Sequence, residues 1–158
     1  MQYISLQAAT TLTEWSERTL RRRLADGSLQ CATNNKDHYK TMIRFDSISQ
    51  YICISLAADE MELLKSADAG EASAQNDLAL LFLEKNKPKC AIYWLESAAK
   101  KHHADAIHLL GCCYLQGNGV PKDYNNAIMW IAKAASFGHR LALAQIQSIH
   151  PNIKPTGQ

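Results

Sequence analysis

Apolar positions recur at helical spacing through most of the chain, and part of that pattern occurs twice. Ala74, Leu78 and Phe82 stand at i, i+4 and i+8, and Ala91, Trp94, Leu95 and Ala98 stand at i, i+3, i+4 and i+7. Each set lays one apolar stripe along a helix of 3.6 residues per turn. The first set belongs to Ala72-x-Ala74-x-x-x-Leu78-Ala79-x-x-Phe82-Leu83, which returns 32 residues later as Ala104-x-Ala106-x-x-x-Leu110-Gly111-x-x-Tyr114-Leu115. The second belongs to Ala91-Ile92-x-Trp94-x-x-x-Ala98-Ala99, which returns 36 residues later as Ala127-Ile128-x-Trp130-x-x-x-Ala134-Ala135. The offset grows because the connecting loop is Glu84–Cys90 in one copy and Gln116–Asn126 in the other. Ala142 and Ile146 begin a third copy, and Ser66-Ala67-x-x-Gly70 resembles the end of a preceding one. The unit is a pair of helices, and a lone pair cannot bury both faces, so successive pairs must stack. Asp123 is suited to cap the helix that follows it, and Gly138 to end that helix.

The first 55 residues follow different rules. Ile4-Ser5-Leu6-x-x-Ala9-x-x-Leu12 is a short amphipathic pattern that Thr13-Glu14-Trp15 interrupts. Ser16 can cap a second helix, Glu17–Ala25, with Leu20 and Leu24 inward, and Asp26-Gly27 ends it. Leu29–Ala32 and Tyr39–Arg44 can pair as a hairpin around the polar tip Thr33–His38. Phe45-Asp46-Ser47 then opens a helix expected to end near Ala57. A further helix is expected from about Asp59 to Ala69, capped by Asp59 with Glu62 at the capping-box spacing. It would form half a repeat at the start of the stack.

The repeated unit resembles the Sel-one-like repeat, a subclass of tetratricopeptide-like helical solenoids. The second copy carries the resemblance on Ala106, Leu110-Gly111, Tyr114, Gly117-x-Gly119-Val120-x-x-Asp123-Tyr124, Ala127, Trp130, Ala134-Ala135 and Gly138. The first copy departs at Ala79 and in its Lys85-Asn86-Lys87-Pro88-Lys89 loop. The resemblance spans roughly residues 63–149 and implies a protein-interaction scaffold without catalysis of its own. The N-terminal part resembles the excisionase/MerR-like winged helix-turn-helix. The residues that carry this are Ala8-Ala9-x-x-Leu12, Ser16-x-x-Thr19-Leu20-x-Arg22-x-Leu24, Gly27-x-Leu29 and Ile43-x-Phe45-Asp46. Its turn has three residues and no glycine between Leu12 and Ser16, where the family has two. The resemblance implies contact with double-stranded DNA.

Charge adds weight at one place. Net charge over the chain is only +2. Residues 1–58 hold seven Lys/Arg against five acids, whereas residues 59–158 hold ten of each. Four of the seven cations fall within Arg18–Arg23. On a helix starting after Ser16, the side chains of Ser16, Glu17, Arg18, Arg21 and Arg22 point away from Leu20 and Leu24. Arginine there can reach guanine or phosphate, and Glu17 can accept from cytosine. The same arginines also suit a solvated helix face. Lys36 and Lys40 flank the expected wing tip, where they can meet phosphate or simply keep a hairpin soluble.

Other chemistry is thin. The 47% apolar and 20% charged composition is that of a globular chain. No apolar run reaches the length of a membrane span. Five cysteines without a Cys-x-x-Cys pair, and no signal-peptide pattern, suggest a reduced, cytoplasmic protein. His108 and Cys112 have a zinc-compatible i, i+4 spacing, but Cys113 falls on another side of the helix, so no metal is expected. Gly117-Asn118-Gly119-Val120-Pro121-Lys122 lacks a preceding strand and places proline where a phosphate loop needs amides. No nucleophile–base pair or paired carboxylates emerge, so neither a cofactor nor catalysis is expected. Trp94 and Trp130 are expected in the core, Trp130 against the last helix.

The expected fold is mainly α, with a small winged helix-turn-helix bearing a β-hairpin wing, then an α/α helical-hairpin solenoid. The expected domains are 1–55, 56–150 and a flexible tail, 151–158. The expected function is DNA-binding transcriptional regulation through Ser16, Glu17, Arg18, Arg21, Arg22, Lys36 and Lys40. A protein partner or a second copy would bind the repeats through Asn76, Leu80, His108 and Cys112. The alternative is a protein-interaction adaptor whose helix-turn-helix never meets DNA.

Overall fold

The computed structural model describes residues 2–32 and 41–149, and these are mainly helical with one small sheet. The chain divides into two compact units, 1–69 and 70–158.

The first unit begins with a strand where the sequence pattern suggested helix. Strand β1 (Tyr3–Ser5) pairs antiparallel with β2 (Met42–Arg44), matching Tyr3 with Arg44 and Ser5 with Met42. Ile4 and Ile43 lie opposite each other in that register and are both fully buried. The apolar face read as helical from Ile4 is therefore shared between a strand and the helix that follows. Ser5 makes the change of direction. Its hydroxyl accepts the amide of Ala8, 3.1 Å away, and so caps α1 (Leu6–Thr13). Glu14 ends α1 in the left-handed region, φ 56°, so the turn reaches this conformation without glycine. Helix α2 (Glu17–Ala25) then starts from Ser16, whose oxygen accepts from the amide of Thr19. Leu20 is fully buried and Leu24 half-buried, as the pattern requires.

The base of the expected hairpin is present. Cys31 bridges to Ile43, the amide of Ala32 donates to the Met42 carbonyl, and that of Arg44 to the Gln30 carbonyl. The tip, including Lys36 and Lys40, lies outside the described residues. Helix α3 (Phe45–Ile48) continues only through a 3₁₀ turn at Ser49–Tyr51, well short of Ala57. Helix α4 (Ala58–Ala69) begins one residue early, and its cap is also different. The Glu60 carboxylate, not that of Glu62, reaches back to accept the amide of Ala57 at 2.7 Å. Glu62 instead pairs with Lys65. The sequence placed the change of module at 55/56. In the structure α4 is tied to β1, because the Asp68 carboxylate accepts from both the amide and the hydroxyl of Ser5.

The second unit is a run of antiparallel helices, α5 (Ala72–Glu84), α6 (Pro88–Ala99), α7 (Ala104–Gln116), α8 (Tyr124–Ser136) and α9 (Arg140–Ile149). Consecutive helices pack together along the run. Ala74, Leu78, Phe82, Ala91, Leu95 and Ala98 of the first hairpin are all buried, as their spacing requires. In the second, Gly111 faces α8 so closely that a β-carbon would stand 2.7 Å from Cγ1 of Ile131. A core cluster joins Ala99 of α6 to Ile107, Ile131 and Ala134, and then to Ala142 and Ile146 of α9. The start of a third copy thus closes over the second.

Candidate interaction surfaces

The exposed basic face of α2 is smaller than its arginine count. Glu17 and Arg21 form an i, i+4 ion pair at 2.7 Å, so each occupies the other. Arg23 turns toward the unit, its guanidinium 4.1 Å above the Trp15 ring and 5.2 Å from that of Tyr51. Those two rings are 4.8 Å apart, and together they hold the cation by its faces. Arg18 and Arg22 remain exposed, one turn apart, with no ion pair among the described residues. Ser16 is exposed but committed to its cap. At the far end, the Asp26 carboxyl is held below its ordinary pKa, mainly by hydrogen bonds from Ser28 and then by Arg23 and Arg22.

The four candidate partner residues of the repeats form two equivalent pairs, but they are not equally accessible. Asn76 and His108 occupy one position of α5 and α7, and Leu80 and Cys112 occupy the next turn. Asn76 and His108 are buried, Cys112 is half-buried and Leu80 is exposed. A partner meeting the surface of this conformation therefore meets Leu80 first. Asn76 donates to Asp77, while its own side-chain oxygen has no hydrogen-bond partner among the described residues.

His108 belongs to a polar cluster that sequence reasoning missed. Its Nε2 lies 2.9 Å from Oε1 of Gln145 and 3.7 Å from Sγ of Cys112. Its ring stacks on that of His139, centroids 4.2 Å apart. His139 precedes α9, and its Nδ1 accepts the amide of Ala142, while its Nε2 stands 3.4 Å from Asp105. His103 caps α7 in the same way through the amide of Ala106. The signal was present, since both histidines stand three residues before a repeated alanine. Burial lowers the His139 pKa, and the nearby His108 adds to this while Asp105 opposes it. Burial also raises both thiols of this helix, that of Cys113 to about 11, which works against thiolate chemistry. No group of three His, Cys, Asp or Glu is arranged to hold a metal ion among the described residues.

Trp94 and Trp130 differ, and the second corrects the expectation. Trp94 is 2% exposed. Trp130 is half-buried and lines an open cavity of about 300 Å³ with Glu96, Ala99, Lys100 and Lys133. It therefore borders α6 as well as the core beside α9. The Lys133 ammonium stands 4.9 Å from the centre of its ring.

Residues 72–103 and 104–139 each match the Sel1 repeat family, which covers the two hairpins and the histidine caps at their ends. A protective antigen of uropathogenic Escherichia coli with an SLR fold is 32% identical over 61% of this chain, with a TM-score of 0.54. The match spans only 22% of that longer protein. A Sel1 repeat protein from Oxalobacter formigenes is similar in fold over 90% of this chain and 92% of its own, with 23% identity and a TM-score of 0.52. No curated protein sequence matched significantly. Both matched segments fall within the C-terminal unit. No helix among the described residues is long and apolar enough to cross a membrane.

Proposed function

We propose that this protein is an interaction adaptor whose C-terminal repeats hold a protein partner. The observation that supports this best is a stack of two Sel1 repeats whose surface keeps large apolar side chains exposed, among them Leu80, Tyr124, Ile128 and Leu141. Exposed apolar side chains on a rigid helical stack suit burial against a partner. The surroundings of the cysteines and histidines favour structural roles over chemistry. Affinity capture with the full chain, followed by mass spectrometry, tests this reading. A reproducible partner that no longer binds once exposed apolar residues of the repeats are substituted is expected, and no specific capture would count against it.

A second reading, contact with DNA through α2, is favoured by one observation. Arg18 and Arg22 project from a helix that follows a tight turn, and no acid among the described residues pairs with them. Arg18→Ala and Arg22→Ala would then each weaken specific DNA binding by about 1–3 kcal/mol, the worth of a bidentate arginine on a base. Fluorescence anisotropy across a salt series reads this, because neutralised phosphates make affinity fall with salt. A wild-type chain with no salt-dependent DNA affinity would leave α2 as a surface of the adaptor.

A further inference from the structure

Departures from the repeat plan gather at one place. Glu96 and Lys100 of α6 stand where the second repeat has Ala132 and Ser136, and Lys133 of α8 stands where the first has Ser97. A hairpin does not require these charges, because the equivalent position of the other repeat does without each of them. Yet all three line the cavity of about 300 Å³ beside Trp130, together with Ala99. Trp130 departs from the plan as well. Its equivalent, Trp94, packs edge-on against Tyr93 with ring centres 5.0 Å apart and is 2% exposed. Met129 takes the place of Tyr93 in the second repeat, and Trp130 is half-buried with the Lys133 ammonium 4.9 Å from the centre of its ring.

The cavity therefore combines an apolar wall with two ammonium groups and one carboxylate. No ion pair among the described residues engages Glu96, Lys100 or Lys133, although Glu96 and Lys100 are one turn apart on α6. An anion would gain the lysines but set a second negative charge beside Glu96. A cation would meet two like charges. A ligand that carries a carboxylate, an ammonium and an apolar group answers every lining residue at once. The volume is at the small end for ligand sites and suits a molecule of about one residue. We propose that the cavity beside Trp130 binds a free α-amino acid with an aromatic side chain. The ring lies against the Trp130 indole, Lys100 and Lys133 donate to the carboxylate, and the ammonium donates to Glu96. Glu96 and Lys100 are exposed, so solvent screens these pairings and the affinity is modest, on the order of millimolar. The site goes beyond the adaptor reading and does not depend on it.

Phenylalanine, 3-phenylpropionate and phenethylamine share a ring and differ in charge, which makes them the probes. Each is titrated into the full chain while NMR follows the indole N–H signal of Trp130, identified by its loss in Trp130→Phe. Phenylalanine is expected to bind about two- to fivefold more tightly than 3-phenylpropionate, which has nothing to offer Glu96. It should bind about tenfold more tightly than phenethylamine, which has nothing to offer either lysine. Lys133→Gln should weaken phenylalanine by about threefold or more and leave the rest of the spectrum unchanged. Glu96→Gln should remove the advantage of phenylalanine over 3-phenylpropionate. A Trp130 signal that no soluble concentration of phenylalanine moves would overturn the proposal. So would equal binding of the three probes, or indifference to both charge variants. N-Acetylphenylalanine keeps the ring and carboxylate but has an amide, as the last residue of a polypeptide does. Tighter binding of this probe than of phenylalanine would overturn the proposal in favour of the carboxyl end of a partner chain. Capture of a partner through the repeats is read separately, so the adaptor stands or falls without this site.

Discussion

Ile92 and Ile128 hold the same place in two helices built on one sequence plan, yet the first is buried and the second stands half in solvent. Trp94 and Trp130 show the same divergence at another position of the same helices. For the isoleucines, the difference lies in the neighbour and not in the hairpin. The first hairpin has the Gly119 turn of the second laid on it, and no such turn covers the second among the described residues. In a stack of repeats a side chain's burial is partly a property of the next unit. An identical residue at an equivalent position can thus be core in one copy and surface in the other.

Substituting the two tryptophans is the strongest way to test that contrast. Trp94→Ala removes a side chain that is almost wholly buried and should destabilise the second unit by about 3–5 kcal/mol. Trp130→Ala empties a half-exposed site that already borders an open cavity, and should cost about 1–2 kcal/mol, in proportion to the smaller apolar area involved. Urea unfolding of each full-length variant provides the measurement. Equal losses would mean that the repeats are energetically alike despite their different exposure.

The loops offer a smaller and more local test. Gly119 combines a positive φ of 80° with backbone contact against Pro88. The first repeat has a shorter loop, in which Asn86 takes the left-handed conformation at φ 59°. Gly119→Ala should cost about 1–3 kcal/mol, from the backbone conformation together with the clash against the first hairpin. Gly138→Ala has a similar φ, 86°, but open space around it, and should cost less than Gly119→Ala. If the two substitutions cost the same, the Gly119 turn is not what joins the hairpins.

These differences also mark where the sequence was readable. The hairpins were legible because each helix carries its own 3.6-residue stripe, a local property. The Glu17–Arg21 pair was readable from its spacing, although the pattern alone counted both as DNA-facing. Strand β1 was not readable, because three residues cannot display a period, and Ile4 fits a strand or a helix equally well. The attachment of α4 through Asp68 and Ser5 joins residues 63 apart, beyond the reach of any local pattern. The exposure of Trp130 and Ile128 depends on what lies beside the second repeat, which no periodicity encodes. The stacked histidines were half legible. Their capping positions recur with the repeat, but the meeting of His108 with His139 requires α7 and α9 to lie side by side.

That meeting yields the smallest expected effect, a pH dependence confined to the end of the stack. The His139 pKa lies below its ordinary value in the folded protein, chiefly because the ring is buried and secondly because of His108, with Asp105 pulling the other way. The unfolded chain therefore takes up a proton more readily than the folded one. The associated stability is complete above the unfolded pKa, about 6.5. It is lost as pH falls through that value toward the lower folded pKa. Structure gives the same sign, because Nδ1 of His139 accepts the Ala142 amide and a protonated ring could no longer do so. The groups facing His139 are His108 and Asp105 of α7, and Gln145 of α9 reaches His108. His139→Asn supplies a capping oxygen that does not titrate, so it should flatten the loss of α9 protection between neutral and mildly acid pH. Hydrogen exchange along α9, measured in wild type and variant across that range, checks this. His103 caps α7 without a stacked imidazole partner among the described residues, so His103→Asn should alter the pH profile less. A profile that depends equally on both caps would assign the effect to helix capping in general and remove the His108–His139 pair as its cause.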